Sequence, residues 1–438
     1  MFPIYIKTKD SGVEWLGKVA EHWTVKRLGH FFTERREKVS DKNYAPLSVT
    51  KNGIVPQLET AAKTDDGDNR KKVSVGDFVV NGRSDRKGSS GISGYSGSVS
   101  LINIVLIPKN INTRFAHHLL RSYPFQEEFY RYGKGIVADL WSTNYSEMRN
   151  ILLALPEQSE QAAIASFLDR KTALIDDLIA KRERQIELLQ EHRMALITRV
   201  VTKGLNPDVP MKDSGAKWLG AIPAHWNVKK LKRISPKITV GVVVNPSTYV
   251  VEDGTVPFIR GIEVHENFIN TEKVQYISHI SNKLLSKSTL NTGDIIAIRV
   301  GDPGIAAVIP ETLNGSNCAS LLIIRMSSKF DSNFICFGMN SLIGKYQVKR
   351  FQDGAAQEQI NVSDAVNIIF PIPELEEQKN IADYLRKEAC KVDKVVDNLF
   401  TGNKKLLQYR QSLISAAVTG KIDVRGDAAS DTSLEVPA

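Results

Sequence analysis

The stretch DSGVEWLGKVAEHWTVKRL at residues 10–28 returns at residues 213–231 as DSGAKWLGAIPAHWNVKKL, with eleven of its nineteen positions identical. A second block, PEQSEQAAIASFL at 156–168, returns as PELEEQKNIADYL at 373–385. The first block repeats at an offset of 203 residues and the second at 217, and dissimilar sequence lies between them in each half. This pattern predicts a duplicated scaffold that presents two different modules. Two unlike modules can bind two unlike targets.

The second block opens a long helix in each half. No Pro or Gly occurs from Glu157 to Val201, and good helix formers dominate the run. Residues recur there at alternating steps of four and three, which is typical of a coiled-coil seam. The apolar seam positions are Ile175, Ile179, Ile186, Leu189 and Leu196 in the first half and Val392, Val396, Leu399, Leu406 and Leu413 in the second. We predict that the two helices pack antiparallel about a pseudo-twofold axis; the alternative is that each helix packs only on its own domain.

The predicted seam also contains polar residues. Arg182, Arg193, Asn403 and Arg410 fall in the same stripe at the same spacing. Long polar side chains at such positions either extend to solvent along their apolar stems or face a further subunit.

The stretches between the repeated blocks are predicted to be mixed α/β modules. Gly76 and Asp77, which precede an apolar strand, match Gly293 and Asp294 at the offset of 217, so the modules share a distant plan. Residues Val99 to Ile107 alternate as one strand should. The expected fold class is therefore mixed α/β (α+β), with two α/β modules separated by two long antiparallel coiled-coil helices. The expected segments are 1–155 (first module with its repeated block), 156–204 (first long helix), 205–372 (second module with its repeated block), 373–421 (second long helix) and 422–438 (a disordered tail).

Composition favours a polyanionic partner. The 438 residues carry a net charge of +9, and the pI is near 9.2. Cys318, Cys336 and Cys390 are too few and too scattered for a disulfide framework or a zinc site. The sequence has no signal-like N-terminus and no apolar run of the length that a membrane helix needs. We expect a cytoplasmic protein that does not enter a membrane.

The sequence carries no recognisable catalytic motif. It lacks a His-Glu-x-x-His metal helix, a phosphate loop ending in Gly-Lys-Ser/Thr and a Gly-x-Ser-x-Gly elbow. Its eight histidines form no cluster with metal-ligand spacing. We expect no catalytic residue, metal site or cofactor on this chain.

Cations, amides and aromatic residues in the modules have the chemistry that DNA recognition requires. Long donors in glycine-rich loops can reach phosphate oxygens and guanine edges, and amides can read adenine. The candidate DNA-binding residues are Arg83, Arg86, Lys87, Arg131, Lys134, Asn144, Lys283, Lys287, Arg299, Lys349, Arg350 and Gln357. Each of them alone is equally compatible with an ordinary exposed surface position. The prediction therefore rests on the modules as wholes.

The arrangement resembles the specificity (S) subunits of type I restriction-modification systems, and the resemblance covers nearly the whole chain. It rests on doubled Trp-Leu-Gly and His-Trp motifs, at Trp15 to Trp23 and Trp218 to Trp226, and on a doubled Pro-Glu with Glu-Gln, at Pro156 to Gln161 and Pro373 to Gln378. The resemblance implies two target recognition domains, each reading one half of an asymmetric, interrupted double-stranded DNA sequence. It also implies that the long helices form a spacer.

The same resemblance implies the partners. The helices and repeated blocks would dock DNA methyltransferase (M) subunits, which carry S-adenosylmethionine and methylate adenine. A restriction (R) subunit would use ATP and Mg²⁺ to translocate and cleave DNA, and this chain would itself be non-catalytic. Two alternatives are a stand-alone sequence-specific DNA-binding protein such as a repressor, and a fused nuclease or methyltransferase.

Overall fold

The computed structural model describes residues 2–60, 67–135, 141–352 and 359–428. The strands of the first half are β1 Thr8–Asp10, β2 Lys18–Ala20, β3 Thr24–Arg27, β4 Phe32–Glu34, β5 Lys38–Val39, β6 Leu47–Thr50, β7 Gly53–Pro56, β8 Arg70–Val73, β9 Phe78–Asn81, β10 Ser90–Ile92, β11 Gly97–Val99, β12 Asn103–Pro108 and β13 Leu152–Leu155. Its helices are α1 Thr113–Arg121, α2 Tyr123–Arg131, α3 Tyr145–Met148 and α4 Gln158–Lys203.

The second half follows a similar order. Its strands are β14 Met211–Asp213, β15 Ala221–Pro223, β16 Asn227–Lys230, β17 Lys237–Val240, β18 Val256–Ile259, β19 Val264–His265, β20 Phe268–Ile269, β21 Gln275–Ile277, β22 Ile295–Ala297, β23 Ala306–Val308, β24 Asn317–Cys318, β25 Leu322–Arg325 and β26 Ile369–Ile372. Its helices are α5 Leu231–Ile234, α6 His279–Leu284, α7 Ser332–Asn340, α8 Leu342–Gln352, α9 Val362–Ala365 and α10 Leu375–Val418.

The chain divides into two compact units. Unit 1 comprises Met1–Arg182 with Phe400–Ala438, and unit 2 comprises Glu183–Leu399. Each unit therefore contains one module and one half of each long helix. At the start of the predicted tail, Val424 is buried in the core of unit 1 and Ile422 packs against that core. Residues 429–438 lie outside the described part of the chain.

The Asp-Ser-Gly start of the first repeated block forms the same hairpin in both units. Strand β1 pairs antiparallel with β2, and β14 pairs in the same way with β15. The Asp10 carboxylate accepts the Gly12 N–H at 2.9 Å, and Asp213 accepts the Gly215 N–H at 3.0 Å. Both glycines have positive φ, 67° and 78°, which side chains disfavour. This geometry explains why the motif recurs.

Each module is built on a four-stranded antiparallel sheet of the same order. The sheet is β10-β9-β12-β4 in unit 1 and β23-β22-β25-β17 in unit 2. The predicted Gly-Asp match lies at its edge: buried Asp77 binds Arg35 through two bonds of 2.7 and 3.0 Å. Buried Asp294 also binds an arginine, but through one contact, with Nη1 of Arg325, whose Nη2 donates to the Thr289 carbonyl.

The second sheet of each module differs. In unit 1 it is antiparallel, β11-β8-β5, whereas in unit 2 the order is β21-β18-β24 and β18 pairs with β24 in parallel. Each module also carries a separate hairpin, β6–β7 or β19–β20. The prediction of one strand from Val99 to Ile107 was wrong, because β11 ends at Val99 and a turn precedes β12 at Asn103.

The two repeated blocks bind each other in the folded chain. Glu160, in the first turn of α4, accepts a hydrogen bond from the Trp23 indole at 3.1 Å and lies 2.7 Å from His22 Nε2. In unit 2, Glu377 lies 2.9 Å from His225 Nε2. The pairing of histidine with glutamate is thus made in both units, whereas the bond from the tryptophan indole is made only in unit 1 among the described residues.

A buried glutamine joins the start of each long helix to its module. Gln161 donates to the carbonyl oxygen five residues before it and accepts the Asn112 N–H, both at 2.9 Å. Gln378 makes the equivalent two bonds, and its N–H partner is Asp331. Asn112 and Asp331 are also the residues that cap the N-termini of α1 and α7. The side-chain amide of each glutamine therefore binds at the N-termini of two helices: α4 and α1 in unit 1, and α10 and α7 in unit 2.

The long helices pack antiparallel within each unit. In unit 1, Asp176 of α4 pairs with Arg410 of α10 (Nη2 to Oδ2, 3.1 Å). In unit 2, Arg193 of α4 pairs with Asp393 of α10 (Nε to Oδ1, 2.9 Å). Each residue is matched to its counterpart by the offset of 217, so one ion pair is made twice with the helices exchanged. Reciprocal pairing of this kind requires antiparallel helices.

The expected fold class, mixed α/β with an internal repeat and two long antiparallel helices, is confirmed. All ten predicted apolar seam positions are buried or half-buried. Arg193 and Arg410 each bind an aspartate of the other helix. Asn403 is 7 % exposed.

We expect Gln161→Ala to lower the free energy of unfolding by about 2–4 kcal/mol, because it removes two hydrogen bonds and leaves buried backbone groups without partners. The matched control is Gln158→Ala, which truncates an exposed glutamine in the same helical turn. Urea denaturation followed by circular dichroism measures both. Equal stabilities of the two variants would contradict the role given to Gln161.

Candidate nucleic-acid interface

The loop that follows β9 carries three of the candidate cations in unequal environments. The Arg83 guanidinium is held by Asp85, with Nε 3.1 Å from Oδ1. Arg86 is the most exposed of the three: its side chain is 68 % exposed, and its nearest carboxylate oxygen, also of Asp85, is 3.7 Å away. Arg86 therefore presents most of its N–H donors to solvent.

Lys87 faces inward by comparison. Its ammonium group forms an ion pair with Glu127 and lies 5.9 Å from the Tyr123 ring centre and 5.8 Å from that of Tyr130. The hydrogen bond from Lys87 lowers the pKa of the Glu127 carboxyl. Lys87 is thus engaged in attaching the loop to α2.

A polar cleft of about 780 Å³ lies between the β6–β7 hairpin and this loop. Arg83 and Arg86 line it together with Thr50, Gln57 and Asn81, which sequence reasoning missed. Asn-Gly at 52–53 between two apolar runs signals a hairpin and could have revealed this wall of the cleft, although the turn residues in the structure are Lys51 and Asn52 and Gly53 begins β7. The lining combines guanidinium, amide and hydroxyl groups, the side chains that contact base edges and phosphates.

The other candidates of the first module lie beside acidic partners. Arg131 binds Glu128 through two bonds of 2.7 and 2.8 Å, and this pairing raises the pKa of the guanidinium. Lys134 lies 3.1 Å from Glu147. Arg131 and Lys134 share a second concave surface, of about 490 Å³. Asn144 is exposed and directly precedes α3.

The candidates of the second module fall into separate groups. Lys283 and Lys287 are exposed on α6 and the turn after it. Lys349 and Arg350 are exposed on α8. Arg299 is half-buried, with Nη2 3.4 Å from Gln359 Oε1. The remaining candidate, Gln357, lies outside the described residues.

A half-buried histidine, His117, lies behind the cleft of the first module. His117 Nδ1 accepts the Ile92 N–H at 3.3 Å, and its Nε2 lies 2.9 Å from Arg121 Nη1. Arg121 in turn donates to the Lys51 carbonyl, at the turn of the β6–β7 hairpin, at 2.5 Å. Burial, followed by the charge of Arg121, lowers the pKa of His117 to about 3.

Two kinds of feature are missing from the described ranges, a metal-binding cluster and a membrane-spanning helix. Among those residues, no group of three or more His, Cys, Asp or Glu side chains is placed to hold a metal ion. None of the helices within those ranges combines the length and apolarity needed to cross a membrane.

Comparison with known proteins finds the same architecture elsewhere. The family model for the type I restriction modification DNA specificity domain matches residues 223–388. A Methanocaldococcus jannaschii protein assigned as the MjaX specificity subunit of a type I restriction enzyme is 26% identical over 411 residues, which cover 91% of this chain and 88% of that protein.

Solved structures agree at the level of the fold. A chain from a study of complex assembly and conformational transition of the type I R-M system matches with a TM-score of 0.68 and 15% identity, covering 92% of this chain and 99% of that one. The HsdS subunit from Thermoanaerobacter tengcongensis matches with a TM-score of 0.50 and 16% identity, covering 92% and 98%.

The duplicated scaffold and the paired long helices define a class of protein in which one repeated frame carries two unlike modules. Residues 223–388 match the type I restriction modification DNA specificity domain, and nine-tenths of the chain is similar to a type I specificity subunit. The resemblance seen in the doubled motifs is therefore confirmed.

We expect the protein to lose stability as pH falls below about 6.5, partly through His117. Its folded pKa lies below the unfolded value, so the unfolded chain binds more protons between about pH 6.5 and pH 3. His117→Gln should remove a pH-dependent loss of about 2 kcal/mol between pH 7.5 and pH 5. The exposed His192→Gln is the control. Urea denaturation at both pH values tests this, and an unchanged difference in His117→Gln would refute it.

Proposed function

We propose that this chain is the DNA-reading, non-catalytic subunit of a type I restriction-modification complex. Each module contacts one half of an interrupted, asymmetric DNA target, and the two halves are read independently. The proposal rests on the repeated scaffold. The same four-stranded sheet and the same glutamine contact at the start of the long helix are made in both units, whereas the loops and second sheets differ. A repeated scaffold with unlike faces fits a bipartite, asymmetric target. No observation favours a stand-alone repressor.

The chemistry belongs to partner subunits in this proposal. Methyltransferase subunits supply S-adenosylmethionine and methylate adenine, and a restriction subunit uses ATP and Mg²⁺ to translocate and cleave DNA. This chain supplies the sequence information, in the cytoplasm. Its net charge of +9 favours approach to the DNA polyanion.

The proposal is tested by mapping methylated adenines genome-wide in cells with and without this chain. We expect methylation at one bipartite sequence that disappears when the chain is removed. A methylation pattern that does not change would remove the support for the assignment.

In the first module, we propose that Arg86 reads a base edge and that Lys87 holds the loop. Arg86 presents free donors beside the polar cleft, whereas the ammonium of Lys87 is engaged by Glu127. A guanidinium that binds guanine O6 and N7 contributes about 1–3 kcal/mol of discrimination.

Arg86→Gln should therefore lower methylation at the native site by about tenfold or more, and the loss should map to one half-site. The neighbouring Lys87→Gln, which removes the same charge, should lower thermal stability and leave the half-site sequence unchanged. Methylation of a randomised half-site library by the assembled complex distinguishes them. Equal loss of discrimination in both variants would contradict the assignment.

We further propose that the long helices set the number of unread base pairs between the half-sites. Both helices continue without a break from one unit into the other. Because a helix rises about 1.5 Å per residue, removing four residues shortens it by about 6 Å, close to two base pairs.

Matched deletions of residues 183–186 and 400–403, which correspond at the offset of 217, should shift the preferred spacer by about two base pairs or abolish binding. Methylation of duplexes with graded spacers measures the preference. If the variant keeps the original preferred spacer length, the long helices do not set it.

A further inference from the structure

The hairpin β19–β20 of the second module is held by its turn. Asn267 at the turn has φ 67°, donates its N–H to the Ala306 carbonyl at 2.9 Å and accepts a hydrogen bond from Asn340 at 2.9 Å. Asn340 is 1 % exposed. The hairpin is therefore seated on the module through buried polar contacts.

The other turn residue, Glu266, reaches the long helices. Its Oε2 lies 3.3 Å from Nη1 of Arg193 on α4, and its Oε1 lies 2.6 Å from Nζ of Lys345 on α8. The Arg193 side chain is 14 % exposed and also pairs with Asp393 of α10. One guanidinium thus connects the module's hairpin to both long helices inside unit 2.

This connection lies apart from the apolar attachment of the module. Ile197, Val200 and Val201 of α4 belong to the hydrophobic core of unit 2. Arg193 precedes that patch by one helical turn, about 6 Å. Ile381, Ala382 and Leu385 of α10 belong to the same core. The contact between Glu266 and Arg193 therefore adds a polar attachment one turn beyond the apolar one, and this added attachment opposes rocking of the module on the helix pair.

We infer that Glu266 and Arg193 are positioning residues, which hold the second module at a set angle on the helix pair and thereby narrow the range of accepted spacer lengths. Neither residue needs to touch DNA for this effect. The inference rests on the proposed bipartite reading of DNA, and its first test does not depend on that proposal.

Unit 1 provides an internal comparison because its hairpin is held differently. The turn of β6–β7 is bound by Arg121 of α1, and α1 is tied to α4 by His118, whose Nε2 lies 2.6 Å from Asp169. Glu266 makes no contact in that arrangement, because it belongs to the β19–β20 turn of unit 2. Removing Glu266 should therefore loosen the second module alone.

The first test is hydrogen exchange in the purified full-length chain. Glu266→Ala should raise the exchange rate of amides in residues 264–269 about fivefold, whereas β6–β7 should not change. Lys345→Ala removes the other, more exposed partner of Glu266 and is the matched control, with less than a twofold effect. Equal exchange in the two variants overturns the inference.

The second test uses the assembled methyltransferase complex and duplexes whose half-sites stand at the native spacing or one base pair more or less. Glu266→Ala should raise methylation of the altered spacings relative to the native one about fivefold, with the half-site sequences unchanged. Unaltered spacing selectivity overturns the inference. Failure of wild-type complex to methylate any bipartite site would instead overturn the proposed function, and the exchange result would still decide whether Glu266 holds the hairpin.

Discussion

The structure depends on one ion pair made twice between antiparallel helices. Asp176 meets Arg410 in unit 1, and Arg193 meets Asp393 in unit 2, with the roles of α4 and α10 exchanged. Because both aspartates are 53 % exposed, the two ion pairs fix the register of the helices more than they add stability. Only antiparallel helices let each repeat supply the acid for one pair and the base for the other.

Much of this architecture could be predicted from the sequence because it was duplicated. The repeated blocks, the helix from Glu157 onward and the apolar seam all follow from periodicity, and the structure has them where they were expected. The partners could not be predicted in the same way. Periodicity places Arg410 in a stripe but does not indicate that Asp176 faces it. The turn at 100–102, which exposes the apolar Leu101 and Ile102, interrupts the stretch that was predicted to be one continuous strand.

The candidate interface shows the same limit. Arg86 and Lys87 are neighbours with the same charge, yet one faces solvent and the other binds Glu127 on α2, about forty residues later. That difference is set by tertiary contacts and leaves no mark in the local sequence. The duplicated scaffold explains why the Gln161 and Gln378 contacts recur. In the proposed function, the unlike loops let one chain distinguish two half-sites. The fold and the similarity to type I specificity subunits support the proposed function, and the proposed base-reading role of Arg86 rests on its exposure and on the ion pair of its neighbour Lys87.

The most direct measurement is cross-linking of the helix pair in solution. In a chain with Cys390→Ser, which removes the exposed cysteine, Asp176→Cys with Arg410→Cys and, separately, Arg193→Cys with Asp393→Cys should each be joined by a short bismaleimide within one polypeptide. The account predicts both cross-links in high yield. A cross-link between Asp176→Cys and Asp393→Cys instead, the equivalent positions that parallel helices would bring together, would contradict it.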